Sequence, residues 1–357
     1  MADQMQHAHV VMPTGEPVRF RCNGVARGRA ARAATGASGS LRRVLALGLA
    51  AALLGPLAAR AQYPDKPVRI IVPVAAGGGV DVMARLIAQK LSERLGQQFF
   101  VENRAGAAGI IGTRAVIASP ADGATLLYTP SSLSLTVAVN KTAPYDVARE
   151  LTPIINVAIS PYALVANPAV PAADLKELIA YAKANPGKLS YSSAGIGSAS
   201  HLAAELFRLD AGIEIVHVPN KGMNPALIDL LGGSVQLLFA SVPGMQAERA
   251  QVRAIAMAER KRSALMPELA TMDEQGLKGF EVANWAGLLG PAGLDGAIVK
   301  KLHDEIVAIL ATPDMQERIR TLGYDVIGST PEEFGAQAVQ DVARWSAVVK
   351  KAGIATN

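Results

Sequence analysis

Apolar positions along the chain switch between two periods. Short apolar runs predict buried strands, and apolar residues three and four positions apart predict helices that pack on those strands. In the first part of the chain the strands fall at 69–74, 99–101 and 125–128, and the helices at 80–95 and 109–118. Alternation of strand and helix is typical of α/β proteins with mostly parallel sheets.

The same alternation resumes near position 161 and changes again near position 279. The second block has predicted strands at 162–166, 188–192, 214–218, 235–240 and 253–257, and helices at 174–184, after Ser198 and at 224–231. The third block has an extended segment at 279–289, a helix with Ile298, Leu302, Ile306 and Ile309 on one face, and a helix at 331–350. We therefore expect two α/β domains, each a mostly parallel sheet flanked by helices, formed by 62–160 with 284–357 and by 161–283.

Residues 1–61 have the composition of a leader that contains an export signal. Arg42-Arg43 precede an unbroken apolar run at 44–59, and Ala59-Arg60-Ala61 fits the small-x-small cleavage rule. The run is short for a membrane span, although an uncleaved anchor is the alternative. We expect removal of residues 1–61, cleavage near Ala61 and localisation in the periplasm.

Charge and cysteine content change once this leader is set aside. The whole chain of 357 residues carries a formal net charge of +5, but residues 1–61 hold eight arginines against two acidic residues. The remainder has 27 basic and 28 acidic residues, which gives no electrostatic case for nucleic acid or an anionic membrane as partner. The single cysteine, Cys22, lies in the leader, so the mature body has no thiol nucleophile and no disulfide.

The stretch 69–81 joins a predicted strand to a predicted helix through the glycines Gly77 to Gly79. Glycines let a ligand approach the main chain, and the free N–H groups at a helix start attract an anion. An ordinary tight turn between a strand and a helix has the same composition. The stretch by itself leaves both interpretations open.

A second loop, Ser193-Ala194-Gly195-Ile196-Gly197-Ser198, occupies the same position between a strand and a helix. Ser198 is placed to cap the following helix while it faces a ligand. Two such loops, one in each block, would hold a small carboxylate from opposite sides, with amides and hydroxyls replacing its water shell. The pattern Gly195-x-Gly197-x-x-Ser200 departs from the dinucleotide fingerprint at its third glycine, so we expect no cofactor.

Signals for catalysis and for metal binding are weak in the mature body. Its histidines, His201, His217 and His303, lack metal-ligand spacing, and no Gly-x-Ser-x-Gly elbow is present. His201 lies one turn into the helix after the second loop, where its ring either reaches a ligand or bonds a neighbouring loop. Lys221 is the best-placed cation for a ligand carboxylate, with a solvated turn lysine as the alternative. We expect no metal site and no catalytic residue.

A series of short motifs runs in order from Tyr63 to Ile354. They are Tyr63-Pro64-Asp65-Lys66-Pro67, Ile71-Val72-Pro73 with Gly77-Gly78 and Asp81, Val101-Glu102-Asn103-Arg104, Pro120-Ala121-Asp122-Gly123, the second loop with Tyr191-Ser192 before it and His201-Leu202 after it, His217-Val218-Pro219 with Lys221-Gly222, Pro291-Ala292-Gly293 and Ala352-Gly353-Ile354. On these motifs the chain resembles the receptors of the tripartite tricarboxylate transporters, also called Bug proteins. The resemblance implies a two-domain periplasmic solute-binding protein fold, the type II flytrap, which closes on a small ligand.

The resemblance also implies where the ligand binds. The family's binding residues, carried over to this chain, are Ala76, Gly77, Gly78 and Asp81 in the first loop and Ser193, Gly195, Gly197 and Ser198 in the second. Ser131, His201, Asn220 and Ala240 complete the predicted ligand-binding set. Asn220 stands where the family has tyrosine and Ala240 where it has aspartate. The loss of that acid favours a ligand without an amine.

We therefore expect a periplasmic receptor that captures a small organic anion, a mono- or dicarboxylate, and delivers it to the membrane permease subunits of a tripartite tricarboxylate-type transporter. It would act as a monomer, by domain closure and without catalysing a reaction. Two alternatives stay open. One is an exported hydrolase or other enzyme that uses His201 and Ser198, and the other is a ligand-sensing partner of a signalling system.

Overall fold

The computed structural model describes residues 63–245, 248–282 and 284–354. The predicted leader, its cleavage near Ala61 and Cys22 lie outside these residues. The strands of the described part are β1 (Val68–Val72), β2 (Phe99–Asn103), β3 (Thr125–Pro130), β4 (Leu151–Ser160), β5 (Tyr162–Ala166), β6 (Leu189–Ser193), β7 (Ile215–Pro219), β8 (Leu237–Ser241), β9 (Arg253–Met257), β10 (Asn284–Pro291) and β11 (Asp325–Val326).

The same part also contains α-helices, although β5 follows β4, and β9 and β10 follow β8, with no α-helix described between them. The α-helices are α1 (Gly79–Leu95), α2 (Ile110–Ile117), α3 (Ser132–Val139), α4 (Val147–Glu150), α5 (Leu175–Ala184), α6 (Ala199–Ala211), α7 (Met223–Leu231), α8 (Gly296–Leu310), α9 (Pro313–Thr321) and α10 (Pro331–Ala352). Within the described ranges, no helix combines the length and the apolar character that a membrane crossing requires.

The strands form two mixed sheets. One has six strands in the order β11-β4-β10-β3-β1-β2, and the other has five in the order β7-β6-β8-β5-β9. The predicted α/β class is confirmed, but the sheets are not mostly parallel as expected. Parallel pairs surround β1 and β6, whereas β4, β5 and β10 pair antiparallel with their neighbours. The reason is that the chain passes directly from β4 in one sheet to β5 in the other and returns from β9 to β10, so among the described residues these two connections contain no helical crossover.

Strand β4 has no counterpart among the predicted elements. It lies between β10 and β11 in the six-stranded sheet, although it contains Pro153, a residue normally confined to edges and bulges. Its pairing with β10 shifts register between Leu288 and Leu289, and Leu289 is the residue opposite Pro153. The irregular ladder tolerates the missing N–H group of this proline.

Both sheets carry an apolar cluster on each face, and helix α10 contributes to a cluster on each sheet. Phe334 and Ala338 pack in the cluster on one face of the six-stranded sheet. Trp345, Val348 and Val349, farther along the same helix, pack in a cluster of the five-stranded sheet. One helix is therefore part of the core of both sheets.

Trp285 and Asp341 join α10 to β10. The indole Nε1 of Trp285 donates to Asp341 Oδ2 at 2.8 Å, and Arg344 Nη2 donates to Asp341 Oδ1 at 2.6 Å. Trp285 is fully buried, and its ring and the Phe334 ring form a T-shaped contact with a centroid distance of 5.0 Å. Gly287, two residues further along β10, lies against the same phenylalanine ring.

Candidate functional site

A cavity of about 840 Å³ lies at the carboxyl ends of β3 and β6, where loops from the two sheets meet. Its walls come from segments 107–110 and 130–140 on the side of the six-stranded sheet and 194–199 on the side of the five-stranded sheet, together with Asn284. The carboxyl ends of strands are the usual ligand-binding edge of α/β sheets. None of the described side chains that line the cavity carries a formal charge.

Two helices begin at this cavity, one from each side. Helix α3 starts at Ser132 and α6 at Ala199, and the residues Ser131, Ser132, Ser198 and Ala199 all line the cavity. The first N–H groups of a helix have no partner inside the helix, and the helix dipole adds a partial positive charge there. The cavity therefore offers hydrogen-bond donors and positive potential at two opposed points, which suits an anion.

Asn284 supplies a further donor that the sequence analysis does not predict. Its Oδ1 accepts a hydrogen bond from Ser131 Oγ at 2.9 Å, which fixes the orientation of the amide. Within the described residues, its Nδ2 group has no hydrogen-bond acceptor. Because Asn284 lines the cavity, this N–H₂ group is available to a ligand oxygen.

The second loop has the predicted form and position. Gly195 and Gly197 have φ values of 130° and 76°, which residues with a Cβ rarely adopt. Ser198 caps α6, since its Oγ accepts from the His201 N–H. A Cβ at Gly197 would lie 3.6 Å from Val139 of α3, so the loop directly faces the helix across the cavity.

The turn at 107–109 is a part of the wall that the glycine pattern does not reveal. Ala107 and Ala108 both have positive φ values, 47° and 52°, and such strained alanines are uncommon. Thr136 Oγ1 of α3 donates to Ala108 O at 3.1 Å and so ties the turn to the helix. Strained backbone of this kind concentrates at ligand sites. In the sequence, only Gly106 before the turn and Gly109 at its end indicate locally that a turn lies here.

The first glycine loop does not line this cavity. Ala76, Gly77 and Gly78 are exposed, whereas Asp81 is buried and held on both oxygens. Its Oδ2 accepts from Gly77 N–H and Arg85 Nε, and its Oδ1 from Asn103 Nδ2. Burial alone would raise the pKa of Asp81, but these hydrogen bonds outweigh it and lower the pKa below its usual value. Asp81 is therefore ionised, and it stabilises the loop by accepting the Gly77 N–H.

Three other predicted residues lie behind the second loop or beneath it. Ser193 is buried, and its Oγ lies 2.6 Å from His217 Nε2. Asn220 donates from Nδ2 to Ser192 Oγ and to an aspartate of α7, and Ala240 is buried in β8 opposite Ala163. Of the predicted set, the structure brings Ser131, Gly195, Gly197 and Ser198 together at the cavity.

His201 turns away from the cavity. Its Nδ1 accepts the Gly197 N–H at 3.0 Å, and its ring stacks on His217 at a centroid distance of 4.0 Å, with Tyr191 beyond. Burial lowers the pKa of His201, with Glu205 acting in the opposite direction. Among the described residues, no group of three or more His, Cys, Asp or Glu side chains is arranged to hold a metal ion.

Comparison with known proteins assigns this arrangement to a class. The chain is 37% identical over 295 residues to Protein BugT of Bordetella pertussis, which covers 82% of this chain and 90% of BugT. The structure of R. palustris Rpa4515 with adipate matches with a TM-score of 0.66 at 34% identity, over 82% of this chain and 99% of that chain. The structure of MatC from Rhodopseudomonas palustris with bound malate matches with a TM-score of 0.63 at 30% identity, over 80% and 100%.

The fold and the relatives define a periplasmic solute-binding protein. The family described as the tripartite tricarboxylate transporter family receptor matches residues 83–354, and the chain belongs to that family. The resemblance inferred from the motifs is thereby confirmed.

Proposed function

We propose that this protein is a periplasmic receptor that captures a small organic anion, a mono- or dicarboxylate, for delivery to a tripartite tricarboxylate-type permease. The observation that carries the proposal is the convergence of the N-termini of α3 and α6 on one cavity. The adipate and malate in two similar structures support a carboxylate ligand.

The cavity walls narrow the class of anion. Ile110, Leu135 and Val139 give the site apolar surface, and the polar groups are hydroxyls and amides rather than charges. Among the described residues no carboxylate lines the cavity, so a ligand amine would lose its water shell without a negative charge to compensate its own. The site therefore favours a carboxylate with an apolar body and no amine.

The mechanism is capture between two domains, 62–160 with 284–357 and 161–283, which close on the ligand. The exposed first loop, Ala76 to Gly78, keeps its predicted role as a ligand contact in this proposal. A Cβ on Gly78 would meet no atom within 4 Å beyond its chain neighbours, which leaves room for a ligand on closure. Export with cleavage near Ala61 and action as a monomer without chemical turnover belong to the same proposal.

The geometry of Ser198 and His201 does not support the alternative, an enzyme that uses these two side chains. Ser198 Oγ is bonded to the backbone of residue 201, and the His201 ring accepts from Gly197, so the two side chains form no nucleophile and base pair. The serine and histidine that do touch are Ser193 and His217, and Ser193 is fully buried. The sensing role would use the same ligand site.

Thermal unfolding of the mature protein tests the ligand class. Adipate at about 100 times its Kd should raise the melting temperature by about 4 °C, because only the folded state binds. Adipamide, the uncharged diamide of the same length, is the matched control and should give no shift. Equal shifts with both compounds, or none with a panel that includes adipate and malate, would contradict the proposal.

Replacing Asn284 with aspartate should weaken adipate binding at least about 10-fold, because a donor is lost and a negative charge is added beside the ligand. Titration calorimetry measures the change. Gln98→Glu adds the same charge at an exposed position next to β2 and should leave the affinity within about 2-fold. An unchanged Kd for Asn284→Asp would remove Asn284 from the site.

A further inference from the structure

We propose that His201 is a positioning residue for the second loop, and that its neutral imidazole keeps the loop in the form that binds the anion. This inference rests on the proposed function, because it concerns the same loop. It adds that acid releases the loop and weakens binding. His201 would act without touching the ligand, since it does not line the cavity.

The contact that carries the inference is the hydrogen bond from Gly197 N–H to His201 Nδ1, at 3.0 Å. Gly197 lines the cavity and faces Val139 across it, so the bond connects the ring directly to the wall of the site. An Nδ1 atom that accepts must be unprotonated, which places the ring proton on Nε2. A protonated ring would present N–H against N–H at this contact, so the loop would lose this hydrogen bond.

The surroundings of the ring disfavour its charged form. His217 from β7 stacks on it and Tyr191 from β6 lies beyond. Glu205 of α6 is an acid able to stabilise an imidazolium, but it accepts from Tyr191 OH at 2.5 Å and from Arg208 at 2.7 Å. Its charge is therefore already paired. The ring also lies in the first turn of α6, where the helix dipole repels a cation.

Solvent reaches the histidine pair through a second pocket. A pocket of about 590 Å³ is lined by His201, His217, Glu205, Arg208 and Glu214. Glu214 comes just before β7 and is exposed. A proton can therefore arrive without passing through the ligand site.

The titration of the pair follows from this packing. Burial lowers the pKa of His201, and burial together with the neighbouring His201 lowers the pKa of His217 to about 4. Both rings are neutral at neutral pH, so the loop is held there. The two histidines bind protons less readily in the folded protein than in the unfolded chain. Acid therefore destabilises the folded form in which His201 accepts the Gly197 N–H.

The test compares wild type with His201→Asn and His201→Ala, using adipate as probe. Asparagine places Oδ1 where Nδ1 stands and accepts the same N–H without titrating, whereas alanine removes the acceptor. At about pH 7.5 the Kd of His201→Asn should equal that of wild type, and His201→Ala should bind about 5-fold more weakly. His303→Asn, on α8 of the other sheet, controls for the loss of a histidine.

The pH dependence of adipate binding distinguishes this role from a purely structural role of His201, which would not change with pH. Between about pH 8 and about pH 4.5, wild type should lose about 5-fold more affinity than His201→Asn, because the titration of adipate itself is common to both. A wild-type affinity that rises relative to His201→Asn in acid would show a charge contact with the ligand and overturn the proposal. So would an unchanged Kd in His201→Ala. If His201→Ala does not fold, the profiles of the other two proteins decide.

Amide hydrogen exchange at Gly197 separates this inference from the proposed function. In the absence of ligand, the Gly197 N–H should exchange at least about 10-fold faster in His201→Ala than in wild type or His201→Asn. Slow exchange in all three proteins would overturn the positioning role even if adipate binds. Fast exchange in His201→Ala alone, with no adipate binding to wild type, would sustain the positioning role and reject adipate as a ligand.

Discussion

Replacing Gly287 with alanine should lower the free energy of unfolding by about 3 kcal/mol. A Cβ at this position would overlap the Phe334 ring of α10 and lie 2.8 Å from Ile155 O of β4. Neither neighbour can move away, because Phe334 is fully buried and Ile155 O belongs to the backbone of a central strand. Denaturant titration followed by circular dichroism measures the loss.

The control for Gly287→Ala is Gly296→Ala, at the first residue of α8, where a Cβ would meet no atom within 4 Å. This variant should change stability by no more than about 0.5 kcal/mol. Adding Phe334→Leu to Gly287→Ala should recover part of the lost free energy of unfolding, since the smaller leucine side chain leaves room for the Cβ of Ala at position 287. Additive losses in the double variant would show that the ring is not the cause.

Replacing Asp341 with alanine should lower the free energy of unfolding by about 2–3 kcal/mol. The change leaves Trp285 Nε1 without an acceptor in a fully buried position and leaves Arg344 without its carboxylate. Asp341→Asn should lose less. Burial raises the pKa of Asp341 against the opposing effect of Trp285 and Arg344, so the charge itself contributes less than the hydrogen bonds.

The exposed Asp304 of α8 provides the comparison for Asp341. It pairs with Lys300 at the surface, and Asp304→Ala should cost no more than about 0.5 kcal/mol. Equal losses for Asp304→Ala and Asp341→Ala would contradict the role assigned to the buried pair.

Elements with a clear local pattern could be predicted from the sequence. Strands β5 and β9 occupy the predicted ranges 162–166 and 253–257. Each contains a short apolar run, and β5 is in addition bounded by Pro161 and Asn167-Pro168. The order of strands within a sheet depends on long-range pairing. The antiparallel pairing of β4 and β10 in one sheet and of β5 in the other makes both sheets mixed. A pattern that reports only neighbours along the chain could not predict it.

The same distinction applies to the candidate site. The second loop could be predicted because its glycines and its capping serine are adjacent in sequence. Asn284 could not, because its partner Ser131 is 153 positions away. The direction of the His201 ring depends on its stacking against His217, which no local pattern records.

Helix α10 has a consequence for the order of folding. It follows every strand of both sheets in the described part of the chain, yet Phe334 and Trp345 belong to the cores of different sheets. Neither core is complete until this helix has left the ribosome. Completion of both cores therefore depends on one and the same helix, the last helix of the described part of the chain.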